Sequence, residues 1–227
     1  MSDPIPPDQQ LRDDLMSHEV ETMQDILTCM RKPPTASKFR RLLLLFLRGH
    51  YASAENYGEE FEHLGCYTWT DDPLTSKLTI EFSHQAVDRK PNATPAIYVR
   101  FGGVTLEKLG LGGNFAGQTF DSSGTHVSKA ASLQLVVAHV ANRATDAYDM
   151  AEMSSRVTSA MATPLALNSG ATSFEVEGYA EPRKKNPEQE TNYLVEMRVS
   201  IGYTHSVTRH LESHRLRRLA LTAQSDS

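Results

Sequence analysis

The chain has 227 residues, 39% hydrophobic and 22% charged, with 23 Lys and Arg against 28 Asp and Glu. That length suits one large domain or two small ones, and the composition is that of an ordinary soluble globular protein. A net charge of -5 argues against a general nucleic-acid coat, which is usually basic, yet leaves room for a surface that DNA passes without sticking.

Pro4, Pro6 and Pro7 predict an extended arm at the start. Asp8 is an N-cap for an amphipathic helix over Asp8–Met30, whose stripe is Leu11, Leu15, Met16, Val20, Met23, Ile26, Leu27 and Met30. Pro33 and Pro34 stop it. A second helix over Ser37–Leu47 carries the run "LLLLFL", with Gly49 as its C-cap. That run is apolar all round, so burial is expected, including against a neighbouring subunit. It is far shorter than the roughly 20 residues that span a bilayer. The acidic, proline-rich start has no signal-peptide character, so the expectation is a protein made in a cytoplasm, with no membrane partner.

His50–Asp72 reads as irregular, with an aromatic cluster of Tyr51, Tyr57, Phe61, Tyr67 and Trp69. "SKLTIEFSH" and "AIYVRFGG" alternate as strands. Leu109–Gly124, with five glycines and few large apolar residues, reads as a long loop or flap. "SLQLVVAHV" is a further strand. Thr145 caps a helix with the stripe Ala147, Met150, Met153, Val157, Ala160 and Met161, and Pro164 falls near its end. "SFEVEGYAEP" is a strand, "RKKNPEQE" a charged loop, and "NYLVEMRVSIGYTH" a strand of about twice the usual length. The last two strands are consecutive and closely joined, so they are expected to pair as a long antiparallel ribbon. The tail "LESHRLRRLALTAQSDS" is basic, then polar.

The expected fold class is therefore α+β: a mostly antiparallel sheet with a long C-terminal β-ribbon, one helix packed on the sheet, and an N-terminal helical extension. The expected division is residues 1–50 for the arm and helices, 51–211 for the core, and 212–227 for the tail.

Chemical motifs are weak. His210 and His214 are spaced like zinc ligands on a helix, with His205 nearby, but Glu212 stands two positions after the first His, out of HExxH register. "GLGGNFAG" fits neither the dinucleotide nor the P-loop pattern. No GxSxG elbow occurs. Cys29 and Cys66 lie in no CxxC pair and are expected as reduced thiols, Cys66 as a core residue among aromatics. "EEFE" at Glu59–Glu62 reads as a solvated face. The expectation is no catalytic residue, no metal and no cofactor. Arg209, Arg215, Arg217 and Arg218 form a basic cluster suited to an acidic protein partner or to a helix C-terminus, and too short and aromatic-poor for base stacking.

Several stretches together carry a resemblance: "YTWTDDPLTSKLTIEF", then "KPNATPAIYVRFGG" with its P-x-I-x-V-R-x-G strand, then the strand and helix of "SGTHVSKAASLQLVVAHVANRATDAYDMAEMSSRVTSAM", and last the strand pair from Ser173 to His205. The sequence resembles tail-terminator, or tail-completion, proteins of tailed bacteriophages over about Tyr67–Leu211. The proline arm, the first helix and the basic tail depart from that pattern. The resemblance implies a homo-oligomeric ring, typically sixfold, at the head-proximal end of the tail, assembled in the host cytoplasm as part of the virion. It implies as partners the tail-tube protein, the head-completion or stopper protein, a sheath or collar, and DNA that crosses the lumen without sequence-specific binding. Alternatives are another head–tail connector, such as a stopper or adaptor, or a metal- or ligand-binding enzyme. Glu196 and Arg198, on the polar face of the last strand, and the four arginines of the tail are the expected subunit or partner contacts.

Overall fold

The computed structural model describes residues 24–72, 74–83, 95–106, 117–121, 124–186 and 189–209. Residues 24–30 are helical. Helix α1 (Ala36–Tyr51) follows, then two short 3-10 helices at Ala54–Asn56 and Glu59–Leu64. Next come strands β1 (Thr79–Phe82), β2 (Ala96–Leu106), β3 (Gly117–Asp121) and β4 (Gly124–Ala141). Helix α2 (Ala144–Ser169) leads into β5 (Ala171–Tyr179), β6 (Arg183–Asn186) and β7 (Gln189–Arg209). The chain is an α+β protein with helices on a mixed sheet.

The sheet runs β1-β2-β4-β7-β5, with β3 also on β4 and β6 also on β7. β1 and β2 are parallel and every other pairing is antiparallel. β4 and β7 pair without a break from Thr125↔Arg209 to Ala141↔Tyr193. β2 and β3 share the other side of β4, and β5 and β6 share the other side of β7. The length of β7 is set by its pairing with β4. It forms a ribbon with β5, but its longest partner is β4, and it lies inside the sheet.

β4 itself is twice the strand expected. It takes in residues 124–132, whose Gly, Ser, Thr and Ala carry little apolar alternation. Part of the expected flap is strand as well, because β3 turns back onto β4 at Asp121↔Gly124.

Alternation sets the core. Val99, Val137 and Met197 form one cross-strand row; Leu135, Val199 and Val176 form another; Leu133, Ile201 and Phe174 a third. All point to the helical layer, and all but the partly buried Val176 are buried. The face of β7 with Val195, Met197 and Val199 lies against the helical layer, with Tyr193 partly buried beside it.

The Thr35 hydroxyl caps α1 by accepting the Lys38 N–H at 3.2 Å. Leu42, Leu43, Leu44, Leu45 and Leu47 are buried in this chain's own core, so the apolar run needs no neighbouring subunit to cover it. Gly49 does not close the helix, which runs on to Tyr51. α2 begins after Arg143 rather than at Thr145, passes through Pro164, and ends at Gly170 in the left-handed conformation, φ 78°. Its buried stripe matches the expected one over Ala147, Met150 and Met153, then shifts to Ser154 and Thr158, and leaves Ala160 exposed.

One ammonium ties three helical ends together. Lys38 is buried, and its Nζ donates to the carbonyls of Met30 (2.7 Å), Lys32 and Ser169 (2.6 Å). Unsatisfied carbonyls at helix C-termini carry partial negative charge, so a cation there replaces water with little loss. Burial still holds the lysine pKa below its usual value.

Val199 is 1% exposed and lies between β4 and β5. Val199→Asp would bury an unpaired carboxylate in this row and is expected to cost about 4 kcal/mol or more. The protein should lose its cooperative urea transition or appear insoluble. A soluble variant with an unchanged midpoint would show that the faces of β7 are misassigned.

Candidate functional site

The helices cover one face of the sheet. The other face is open from about residue 128 to 136 of β4 and along 198–206 of β7. Across it run the rows Arg100–Val136–Arg198, Gln134–Ser200–Glu175, Ser132–Gly202–Ser173 and Ala130–Thr204. Gln134 Nε2 donates to Glu177 at 3.0 Å.

Glu196, expected as a contact to a partner, is engaged inside its own chain. One carboxylate oxygen accepts from Arg100 of β2, the other from Arg183 of β6 at 2.7 Å, and the side chain keeps 19% exposure. The acid therefore joins three strands. The sequence marked Arg100 only as a motif position and did not show that it and Arg183 meet Glu196, because they lie 96 and 13 residues from it. Arg198, two residues on, is exposed and forms no ion pair among the described residues. Arg209 ends β7 opposite Thr125; its side chain lies outside the described set, as do Arg215, Arg217 and Arg218 altogether. His210 and His214 also lie outside the described residues, and His205 packs edge-on to Tyr203 at 6.4 Å.

On the helical side, His139 of β4, Ser154 of α2 and Tyr51 of α1 make the one fully buried cluster with enzyme-like residue types among the described residues. His139 Nε2 and Ser154 Oγ lie 2.9 Å apart, and Ser154 Oγ and the Tyr51 hydroxyl 3.0 Å. Tyr51 also donates to the Met150 carbonyl at 3.0 Å. His139, Ser154 and Tyr51 all have 0% exposure. No carboxylate orients the imidazole and no opening admits a substrate, so the arrangement clamps sheet to helices rather than activating a nucleophile.

A ring of surface contacts fixes the 3-10 segment to α2. His63 meets Asp149 at 3.0 Å, and the Tyr67 hydroxyl donates to Asp146 at 2.8 Å. Arg156 joins Glu60 and Glu152 and lies over the Phe61 ring. "EEFE" is therefore only partly a solvated face, since Phe61 is buried beneath it. Cys66 is exposed, against the expectation of a core cysteine, while Cys29 is the buried one. A polar cleft of about 180 Å³ is lined by residues including Arg48, Trp69, Asp71 and Glu81. Arg48 is spoken for there: it donates to the Ile80 carbonyl and stacks on Trp69 at 4.8 Å. Among the described residues no three His, Cys, Asp or Glu side chains converge as metal ligands, and no helix is long and apolar enough to cross a membrane. No protein-family model matches the chain, and no curated protein matches it.

Two outcomes follow from this geometry. Arg198→Glu should change the unfolding free energy by no more than about 0.5 kcal/mol in urea denaturation, since the side chain is exposed and unpaired among the described residues. A large loss of stability would show that the Arg198 side chain is engaged within its own chain. The second outcome concerns acid. Burial is the main cause that lowers the His139 pKa from 6.5 to about 3, and the Val195 backbone opposes it; burial lowers His50 to about 4. Below pH 6.5 the unfolded chain takes up protons that the folded chain refuses. Stability is therefore complete above pH 6.5 and falls as pH drops towards 3, by up to about 1.4 kcal/mol per pH unit for a buried neutral imidazole. Urea midpoints at pH 7.5 and 4.5 should show this drop, and His139→Gln should shrink it.

Proposed function

We propose that the protein is a structural component of a phage virion, a tail terminator. In this reading it forms a ring, with six copies expected from the resemblance, at the head-proximal end of the tail. One ring face meets the last tail-tube ring and ends its growth; the other meets the head-completion protein. The work is recognition, with no bond made or broken, and needs no cofactor.

The observation that carries this reading is the strand "PAIYVRFG". It matches the P-x-I-x-V-R-x-G pattern of the resembling group, and each motif position after Pro95 has a mechanical role here. Ile97 and Val99 are buried core residues. Arg100 holds Glu196 across β4. A Cβ on Gly102 would lie 2.9 Å from the Gln134 carbonyl oxygen, and Gly103 beside it has φ 145°. The two glycines make the bulge between Phe101 and Gly103. The motif therefore builds a sheet and performs no chemistry, as a structural ring protein requires. The open face adds support. Ser128, Ala130, Ser132, Ser200, Gly202, Thr204 and Ser206 are small and uncharged, so this stretch offers phosphates no cation of its own, and Arg198 stands at its border.

Electron microscopy of particles made without this protein tests the reading. Tail tubes of abnormal, unregulated length are expected. Tails of normal length that fail to join heads would instead make it a stopper or adaptor, and normal virions would end both readings.

A further inference from the structure

The two ends of the sheet differ in a way that selects a partner. β1 pairs with β2 only as far as Phe82↔Val99. From Arg100 to Leu106 that side of β2 carries no strand among the described residues. The bulge at Phe101/Gly103 keeps Phe101, Val104 and Leu106 on the helix-covered face, opposite Leu135, Leu133 and Ala131. Yet the helical layer does not reach them: Phe101 is 53% exposed, Val104 38% and Leu106 45%. An unpaired edge with exposed apolar side chains is a template for another strand.

At the far end of the sheet, β5 pairs with β7 and has no strand on its outer side among the described residues. This edge differs in character. α2 packs over β5, with Tyr148 edge-on to Tyr179 at 5.2 Å between ring centres, so here the helical layer reaches the sheet border. The charges differ too. The one charged residue of β2 is Arg100, and those of β5 are Glu175 and Glu177, both exposed. Arg100 and Glu175 lie in rows of the same, open face.

We propose that the free segment of β2, Arg100–Leu106, is a docking edge for β5 of a second copy of this chain. The pairing continues the sheet from one copy to the next. It brings the second copy's α2 over Phe101, Val104 and Leu106, which the first copy's helices leave open. On the open face it brings Glu175, together with Glu177 that Gln134 holds, towards the positive side of the Arg100–Glu196–Arg183 cluster, which keeps one charge in excess. Joining like edges would oppose Arg100 to Arg100 or glutamates to glutamates, which is unfavourable across a strand pair. The contact is therefore head-to-tail, the kind that closes into rings. The inference rests on the ring reading above and specifies the contact that builds the ring.

The test uses two full-length double variants. Val104→Lys with Leu106→Lys spoils the β2 edge, and Glu175→Lys with Glu177→Lys spoils the β5 edge. All four residues are exposed, and circular dichroism with a thermal melt checks that each variant folds. By light scattering, each variant alone should run as a single 25.2 kDa chain under conditions where the parent assembles. Mixed in equal amounts, they should form a two-chain species that grows no further, because one good edge of each kind remains. Variants that assemble as the parent does would overturn the edge assignment and leave the ring reading intact. Self-paired dimers of either variant alone would overturn the head-to-tail arrangement. A parent that stays monomeric, with no pairing on mixing, would overturn both. Should a double variant misfold, Val104→Lys and Glu175→Lys as single changes are read in the same way.

Discussion

The unbroken ladder between β4 and β7 is the constraint on which the other elements depend. From Thr125↔Arg209 to Ala141↔Tyr193 it contains no bulge. Irregularities fall on outer strands: at Phe101/Gly103 in β2, at Ala171/Ser173 and Val176/Gly178 in β5, and at Lys184/Asn186 in β6. The reason is the period of two. A slip of one residue in the central pair would turn Glu196 and Arg198 into the core and Val195, Met197 and Val199 out of it. Outer strands absorb such a slip locally; the central pair would pass it to every strand that it carries.

Two polar devices fasten the helices to this frame. Lys38 collects carbonyls from residues 30, 32 and 169, so the end of α2 and the segment before α1 share one cation. Tyr51, Ser154 and His139 join α1, α2 and β4 by hydrogen bonds inside the core. Hydrogen bonds are directional where dispersion is not, so each device selects one docking of helix on sheet. Neither device reaches the open face. The helical side thus governs stability and its response to acid, and the open face and the sheet edges take little part in either.

Periodicity made much of the fold legible. "NYLVEMRVSIGYTH", "AIYVRFGG" and "SLQLVVAHV" alternate strongly, and all lie in strands where one face is buried. The first half of β4 was hidden because Ser128, Ala130 and Ser132 face outward on the open side, and Ala131 is the small buried residue between them. Helix ends were misread where residue type is a weak guide: Gly49 and Pro164 both lie inside helices that tertiary packing sustains. Of the expected contact residues, the β7 alternation placed Glu196 and Arg198 on the correct face. Glu196's partners Arg100 and Arg183 come from other strands, so no local pattern could have shown them. The same holds for the buried network, whose members lie as far as 103 residues apart.

Magnitudes decide which surface can hold another molecule. The most prominent charge cluster of the open face, Glu196 between Arg100 and Arg183, is already paired within the chain, with one positive charge left over. Exposed ion pairs of this kind are worth about 0–1 kcal/mol each and weaken with salt. Burying the exposed parts of Phe101, Val104 and Leu106 is worth several times as much, about 2–4 kcal/mol in total at the usual area coefficient. Backbone hydrogen bonds along a strand edge add to that and fix its direction. In the proposed pairing, charge chooses which edge meets which, and the apolar rim of β2 supplies most of the adhesion. The small uncharged residues of the open face, from Ser128 to Ser132 and from Ser200 to Ser206, offer little to hold another molecule, so under the proposed pairing the edges join while this stretch stays unattached, as the wall of a channel requires.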